Sequence, residues 1–349
     1  MPMSWWPYLL VLALSAGTVA LLTPLAIRLG RRFGIVDHPG GRRRHIGEVS
    51  RLGGLGLFPG FALAALVTLL LPIPRNDPLE VTRLVGIVLA MAIAWLTGLI
   101  DDRYQLKSGP QLLGLTMAAV VAILHSVFIE LFNEPFGGTQ IQVEWYLMVP
   151  ITLVWTLGMT STVNVVDGLD GLATGITAIA SLVLFAHMMR LGQHSVALLP
   201  LALLGCCIGF LPYNWFPARV FLGGGAYVLG FGLAMLSIVS GAKVASALLL
   251  LWLPIVDFAW QIYTRWRSKR SPGLGDRGHL HFRLADHGWP PQRIVLVYYG
   301  VTLALGAVAL LVSSRLLKLA ILTAVGVTIL VLMALLTRQQ GDRSDTAGR

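Results

Sequence analysis

Eleven apolar stretches, each about twenty residues long, make up most of this sequence, and a chain built that way has few folds open to it. They centre near residues 16, 61, 92, 120, 154, 180, 204, 233, 253, 302 and 327. Hydrocarbon cannot hydrogen-bond a peptide group, so each run must satisfy its own backbone, which selects the helix. The expectation is an all-α, polytopic integral membrane protein with about 11 transmembrane helices. Composition agrees, with 56% hydrophobic and 12% charged residues, the latter about half the charged fraction of a soluble globule. The first run, from about Trp5 to Ile27, is longer than a secretory h-region and has no basic residue before it, so it reads as a retained helix. Cys206 and Cys207 are adjacent within an apolar run, where they read as small core or lipid-facing residues rather than a disulfide framework or a spaced metal site.

The charges orient the bundle. One set of alternate loops together with the C-terminal tail holds 20 of the 26 Lys and Arg residues: seven from Arg28 to Arg51, seven from Arg265 to Arg293, and Arg103, Lys107, Arg219, Arg338, Arg343 and Arg349. The other set holds only Arg75, Arg83, Arg190, Lys243, Arg315 and Lys318. The positive-inside rule makes the rich set cytoplasmic, with the N-terminus outside and the C-terminus in the cytoplasm. Residues 1–337 then form a single transmembrane domain, and 338–349 a short polar cytoplasmic tail. The net charge of +10 is mostly this asymmetry; it favours anionic headgroups of the lipid bilayer or an anionic substrate, and with so little soluble mass no nucleic-acid partner is expected.

The polar residues within this apolar frame gather on one predicted face. Asp101 and Asp102 follow the third run, and Asn164, Asp167 and Asp170 follow the fifth. Asn214 and Arg219 follow the seventh, Asp257 lies in the ninth, and His279, His281 and Arg283 come just after it. An ionisable residue at bilayer depth costs about 2.5 to 3.5 kcal/mol on insertion scales, so such a collection calls for a function. Asp167 and Asp170 are three apart and share a face if the segment is helical. Carboxylates, a carboxamide and imidazoles at a membrane surface suit a hard divalent cation gripping a diphosphate. Mg²⁺, with Mn²⁺ as the alternative, binds through one or two carboxylates plus substrate phosphates. The structural alternative is that an Asp-Asp pair at a helix end is a cap or a solvated turn.

Two basic segments complete the inventory. His38 to Gly54, HPGGRRRHIGEVSRLGG, reads either as a headgroup anchor or, through Gly53 and Gly54 at the start of the second run, as a helix terminus that an anion approaches closely. Gly275 to Leu284, GDRGHLHFRL, carries two histidines two apart among basic residues, equally suited to a metal and to a phosphate or nucleotide clamp.

In their order these motifs resemble those of the polyprenyl-phosphate N-acetylhexosamine-1-phosphate transferases, integral membrane enzymes of glycosyltransferase family 4. The resemblance runs through DHPGGRRRH and RLGG (Asp37 to Gly54), GLIDDRYQL (Gly98 to Leu106), NVVDGLDGLATG (Asn164 to Gly175), YNWFPARVFLG (Tyr213 to Gly223), PIVD (Pro254 to Asp257) and DRGHLHFRL (Asp276 to Leu284). It implies transfer of a HexNAc-1-phosphate, GlcNAc-1-phosphate above all, from a UDP-HexNAc to undecaprenyl phosphate. UMP is released at the cytoplasmic face of a bacterial plasma (inner) membrane, as the first step of a cell-envelope glycan. Arg283 in HLHFRL is more like the UDP-GlcNAc members than the peptidoglycan-precursor branch, where an acidic residue is usual.

Carried over position by position, the resemblance makes Asp101, Asp102, Asp167 and Asp170 the catalytic carboxylates, with Asp102 and Asp170 holding the metal. His45, Arg51, Asn164, Asn214, His279, His281 and Arg283 become the substrate-binding set, and a homodimer is a candidate assembly. Three positions depart from the pattern. The family's MGDxGS is replaced by Leu222 to Tyr227, LGGGAY, with Gly224 where a metal-binding aspartate is expected. Gln111 stands where a basic residue is usual, and Arg43 replaces a lysine, keeping charge but changing geometry. Two readings therefore compete, an active transferase and a catalytically silent relative that binds lipid phosphate or a partner enzyme. A secondary transporter is a third and weaker reading, because the sequence has no internal repeat.

Overall fold

The computed structural model describes residues 4–37, 47–133, 140–241, 248–267 and 278–347. The chain forms α1 (Trp6–Arg32), a ribbon of β1 (Val36–Asp37) and β2 (Val49–Ser50), α2 (Gly54–Val67), α3 (Glu80–Tyr104), α4 (Ser108–Leu124), and a ribbon of β3 (Leu131–Asn133) and β4 (Gln140–Gln142). There follow α5 (Trp145–Val166), α6 (Leu172–Arg190), α7 (Leu198–Asn214), α8 (Gly225–Val239), α9 (Trp252–Arg267), α10 (Leu280–Asp286), α11 (Pro291–Leu311) and α12 (Arg315–Ala347). Both ribbons are antiparallel, pairing Val36 with Ser50 and Phe132 with Ile141. The protein is therefore mostly helical, as its hydropathy predicts, and α12 continues through most of the polar segment 338–349.

Among the described residues six helices are long and apolar enough to cross a membrane: α1, α3, α5, α6, α11 and α12 to Thr337. The helices α2 (with the 3₁₀ turn that extends it to Leu70), α4, α7 and α8 are apolar but shorter. At 1.5 Å per residue a 15-residue helix spans only about 23 Å of an about 30 Å hydrocarbon layer. Position in the bundle explains the brevity of α7 and α8. Almost every residue of α7 and α8 is buried by protein, whereas α1 and α12 turn most of their surface outward. Leu21, Leu113, Leu124 and Val154 are exposed on the periphery, as expected of a surface whose solvent is lipid.

Packing is built around that buried pair. α7 lies against α1 and α6, and α8 against α3 and α5, while α11 rests on α6. Small residues permit the approach: a Cβ on Gly209 of α7 would fall 2.3 Å from the Ala16 carbonyl oxygen of α1, the kind of close backbone contact that membrane helices use in place of hydrophobic drive. Cys206 and Cys207 are free and buried in α7, in keeping with a core role. Polar residues inside α5 satisfy themselves on the preceding turn, with Thr152, Thr156 and Thr160 each donating to the carbonyl four residues back at 2.7 Å. At one end of the bundle a buried Glu80 accepts from Ser195 Oγ at 2.7 Å and pairs with Arg75, tying α3 to the turn before α7. The opposite end collects the C-termini of α3, α5, α7 and α9, and the polar motifs lie there.

Candidate functional site

The acidic pair that ends α3 divides into two environments. Asp101 Oδ1 accepts from the Leu106 N–H at 2.8 Å and from Gln111 Nε2 at 3.0 Å, and the Tyr227 hydroxyl stands 3.4 Å from its Oδ2. Gln111 also donates to the Leu106 carbonyl at 3.0 Å. These bonds close the turn between α3 and α4, where Gln105 takes a left-handed φ of 49°. Asp102 is only 4% exposed. Its Oδ1 accepts from the backbone N–H of Gly224 at 2.9 Å, and its buried Oδ2 has no hydrogen-bond partner among the described residues. A buried carboxylate oxygen without a donor is expensive and marks a place for a cation or a polar ligand.

Asp102 faces the five-residue loop Asp167 to Gly171 between α5 and α6. The Asp167 carboxyl is held well above the usual carboxylate range, first by desolvation and then by the charges of Asp170 and Asp102; the Gly223 N–H and the Arg51 guanidinium partly offset this. Asp170 Oδ2 accepts from the Ala218 N–H at 2.9 Å. Asp170 and Asp102 are thus both close enough to oppose the ionisation of Asp167, with Arg51 as the nearby cation. Asn164, one turn earlier on α5, is exposed.

The segment between α7 and α8 forms the floor. It runs strand-like beside β2, with Ser50 and Val220 bridged in parallel and the Phe221 N–H donating to the Ser50 carbonyl at 2.9 Å. Gly223 turns with φ +55°, and a Cβ there would lie 2.4 Å from Asp102 Oδ1 and 2.2 Å from the Arg51 carbonyl oxygen. Gly224 is tighter still, because its Cβ would meet the backbone of Gly98 at 2.3 to 2.4 Å. The position where the resemblance places an aspartate thus has no room for any side chain, and it contributes a backbone N–H to Asp102 instead. Gly53 and Gly54 correct the reading of an open anion cradle. A Cβ on Gly53 would strike the Phe221 carbonyl oxygen at 2.3 Å and one on Gly54 the Gly225 nitrogen at 2.6 Å, so both glycines serve the packing of this floor.

Asn214 ties the same elements together rather than facing open space. Its Oδ1 accepts from the Gly171 N–H at 3.2 Å and from Thr174 Oγ1 at 2.8 Å, while Nδ2 donates to the Val220 carbonyl at 3.1 Å. The histidine segment completes the enclosure. Buried Asp257 in α9 lies 3.3 Å from His279 Nδ1 and 4.0 Å from His281 Nδ1, and accepts from the Leu280 N–H at 3.0 Å. The two imidazoles stack, with ring centroids 5.7 Å apart. His281 Nε2 would sit 2.3 Å from a Cβ on Gly168, so glycine at 168 lets the histidine segment close onto the acidic loop. Arg283 is buried and donates to the Gly278 carbonyl at 2.6 Å and to Thr337 of α12. His45 lies outside the described residues.

Sequence reasoning missed Tyr227, Asp257 as the partner of the histidines, and Tyr299, whose hydroxyl donates to the Gly171 carbonyl at 2.6 Å. Asp257 was visible as a charge inside an apolar run; the two tyrosines carry no signal that separates them from ordinary apolar helix residues.

The residues fit a magnesium ion in one respect and not in another. Among the described residues no group of three or more His, Cys, Asp and Glu side chains converges as a ready-made metal cage. Yet Asp102 has an oxygen in need of a partner, and Asp167 is raised by desolvation and by two neighbouring carboxylates. That donor set suits a cation that keeps its waters and takes the rest of its shell from a substrate.

Comparisons with known proteins identify the family. The profile of a family described as Glycosyl transferase family 4 matches residues 84–241, which hold both acidic motifs and the glycine floor. The chain is 33% identical over 319 residues to a decaprenyl-phosphate N-acetylglucosaminephosphotransferase of Mycolicibacterium smegmatis, covering 82% of this chain and 79% of the relative. It is 29% identical over 302 residues to a probable undecaprenyl-phosphate N-acetylglucosaminyl 1-phosphate transferase of Bacillus subtilis, covering 84% and 82%. A phospho-N-acetylmuramoyl-pentapeptide-transferase of Desulforudis audaxviator is 31% identical over 323 residues, covering 83% and 92%.

Proposed function

The chain belongs to glycosyl transferase family 4, and from that premise we propose that this multi-pass membrane enzyme transfers a sugar 1-phosphate from a UDP-HexNAc, GlcNAc foremost, to undecaprenyl phosphate. The observation that carries the reading is the convergence at one end of the bundle of Asp102, Asp167, Asp170 and the Asp257-anchored histidine segment. A cavity of about 560 Å³ runs along α5 against α9 as far as Thr162, lined almost wholly by apolar side chains that include Ile129, Val154, Met159, Ile255 and Ile262. Polar motifs gathered at one end of a bundle that also carries an apolar groove suit a substrate with a phosphate head and a hydrocarbon tail.

In the reaction a non-bridging oxygen of the lipid phosphate attacks the sugar-bound phosphorus. The bond from that phosphorus to the bridging oxygen breaks, and UMP leaves with the electron pair. There is little covalent work for the protein, so its contribution is alignment and charge neutralisation. Asp102 and Asp170 would hold Mg²⁺, which when bound supplies positive charge to the diphosphate. Arg51 faces the carboxylates and balances their charge. His279 and His281, held beside Asp257, would donate to phosphate oxygens.

The topology belongs to the same proposal: eleven crossings with the shorter helices included, residues 1–337 as one transmembrane domain, the N-terminus outside and the site on the cytoplasmic side of a bacterial inner membrane. Exposed aromatic residues mark both levels, Trp5, Trp6, Trp145 and Tyr146 at one end and Tyr104, Tyr263 and Trp266 at the other. The silent-relative reading is favoured by Gly224, where no carboxylate fits. The test is purified protein with UDP-GlcNAc, undecaprenyl phosphate and Mg²⁺, assayed for UMP. Release that requires the lipid is expected, and none across several UDP-HexNAc donors and divalent metals favours the silent relative.

A further inference from the structure

Gly171 is the hinge of the acidic loop. It begins α6 with a left-handed φ of +77°, directly after Asp170 and four residues after Asp167. Its peptide groups are held from two sides. The N–H donates to Asn214 Oδ1 at 3.2 Å, and the carbonyl accepts from Tyr299 Oη at 2.6 Å as well as from the Gly175 N–H at 2.9 Å. The Tyr299 bond comes from α11, 128 residues away in sequence.

That contact exists because of a second glycine. A Cβ on Gly175 would lie 1.9 Å from the Tyr299 ring and hydroxyl, so no other residue at 175 lets the phenol pass across the first turn of α6 to Gly171. The Trp215 ring stands 6.3 Å from that of Tyr299, and a Cβ on Gly171 would meet it at 3.1 Å. The neighbouring Tyr298 is buried and lies beside Asp257 and the His281 backbone. Adjacent residues on α11 therefore touch the two halves of the site, Tyr299 the acidic loop and Tyr298 the histidine segment.

We propose that Tyr299 is a positioning residue for the transfer reaction: its hydroxyl, reaching past Gly175, holds the Gly171 peptide and fixes Asp167 and Asp170 relative to the histidine segment. The inference rests on the transferase reading only for its kinetic consequence. The placement of the loop is a claim about the protein alone.

The experiment compares the full-length protein with its Tyr299→Phe variant, which keeps the ring and removes one hydrogen bond, and with Gly175→Ala. Amide hydrogen exchange over residues 164–175 and steady-state UMP release are measured together. The expected result is exchange about five- to tenfold faster around Gly171 in Tyr299→Phe, the range one buried hydrogen bond produces. Melting temperature should be close to that of the parent, and kcat should fall by a similar factor with KM for the nucleotide sugar nearly unchanged. Gly175→Ala should give the same exchange signature. Unchanged exchange at 167–171 in Tyr299→Phe overturns the proposal whatever the activity, as does faster exchange with an unaltered kcat. If the parent releases no UMP, the transferase reading fails by itself, and the exchange comparison still decides whether Tyr299 positions the loop.

Discussion

The backbone N–H of Gly224 donates to Oδ1 of Asp102 at 2.9 Å, and Oδ2 of the same buried carboxylate meets no donor among the described residues. One oxygen is fixed by the floor of the site and the other is left for whatever binds there. Asp101, the preceding residue, is the converse, with Leu106, Gln111 and Tyr227 arranged around both of its oxygens. The resemblance makes both aspartates catalytic carboxylates and gives the metal to Asp102; their hydrogen bonding favours ligand contact for Asp102 and a positioning role for Asp101.

Asp102→Asn should therefore lower kcat by about 100-fold or more, the scale of removing one group aimed at developing charge, with little loss of folded protein. Asp101→Asn should act mainly on stability, by about 1 kcal/mol, because it disturbs the part-buried hydrogen bonds that close the α3–α4 turn. Parallel measurement of UMP release and thermal unfolding of the two variants checks this. Equal kinetic damage at equal stability would contradict the division of roles.

Gly224→Asp, the substitution that would restore the aspartate the resemblance leads one to expect, should fail to improve turnover. A Cβ at 224 meets the Gly98 backbone at 2.3 to 2.4 Å, and neither partner is the far end of a flexible side chain. Gly224→Ala alone should destabilise by about 3 kcal/mol through overpacking, visible as a lower melting temperature in detergent. A stable Gly224→Asp variant with higher turnover would show that the α3–α8 contact can open.

The raised Asp167 carboxyl gives stability a pH dependence. A carboxyl with a folded pKa above its unfolded value of about 3.9 contributes stability that is present below that value and is lost as pH rises through the folded pKa. In EDTA the melting temperature should therefore fall as pH rises above about 4, and Asp167→Asn should flatten the fall and be the more stable protein at neutral pH. Added Mg²⁺ at neutral pH should raise the parent's melting temperature more than the variant's. Coincident melting curves across pH and metal would show that Asp167 is not under charge stress.

Much of this architecture was legible before any coordinates. Hydropathy finds the helices because a backbone in lipid has no alternative, and the polar motifs stand out because every charge in an apolar run is costly. What sequence could not supply was direction. Asn214 and Arg283 read as ligand-facing residues, yet Asn214 binds Gly171, Thr174 and Val220, and Arg283 reaches Gly278 and Thr337. A polar side chain at a site may serve the substrate or the scaffold, and the one-dimensional pattern is the same for both. Tyr299 escaped notice for the opposite reason, being an aromatic residue within a spanning helix whose one polar atom happens to meet Gly171.

In the proposed reaction phosphorus moves together with the sugar, and an isotope on that atom follows it. Purified protein is given UDP-GlcNAc labelled with ³²P at the β-phosphate, together with undecaprenyl phosphate and Mg²⁺, and the products are separated into lipid and aqueous fractions. The predicted result is label in the lipid fraction with unlabelled UMP in the water, and loss of both in Asp102→Asn. Label remaining in UDP, with the sugar alone in the lipid, would contradict the account.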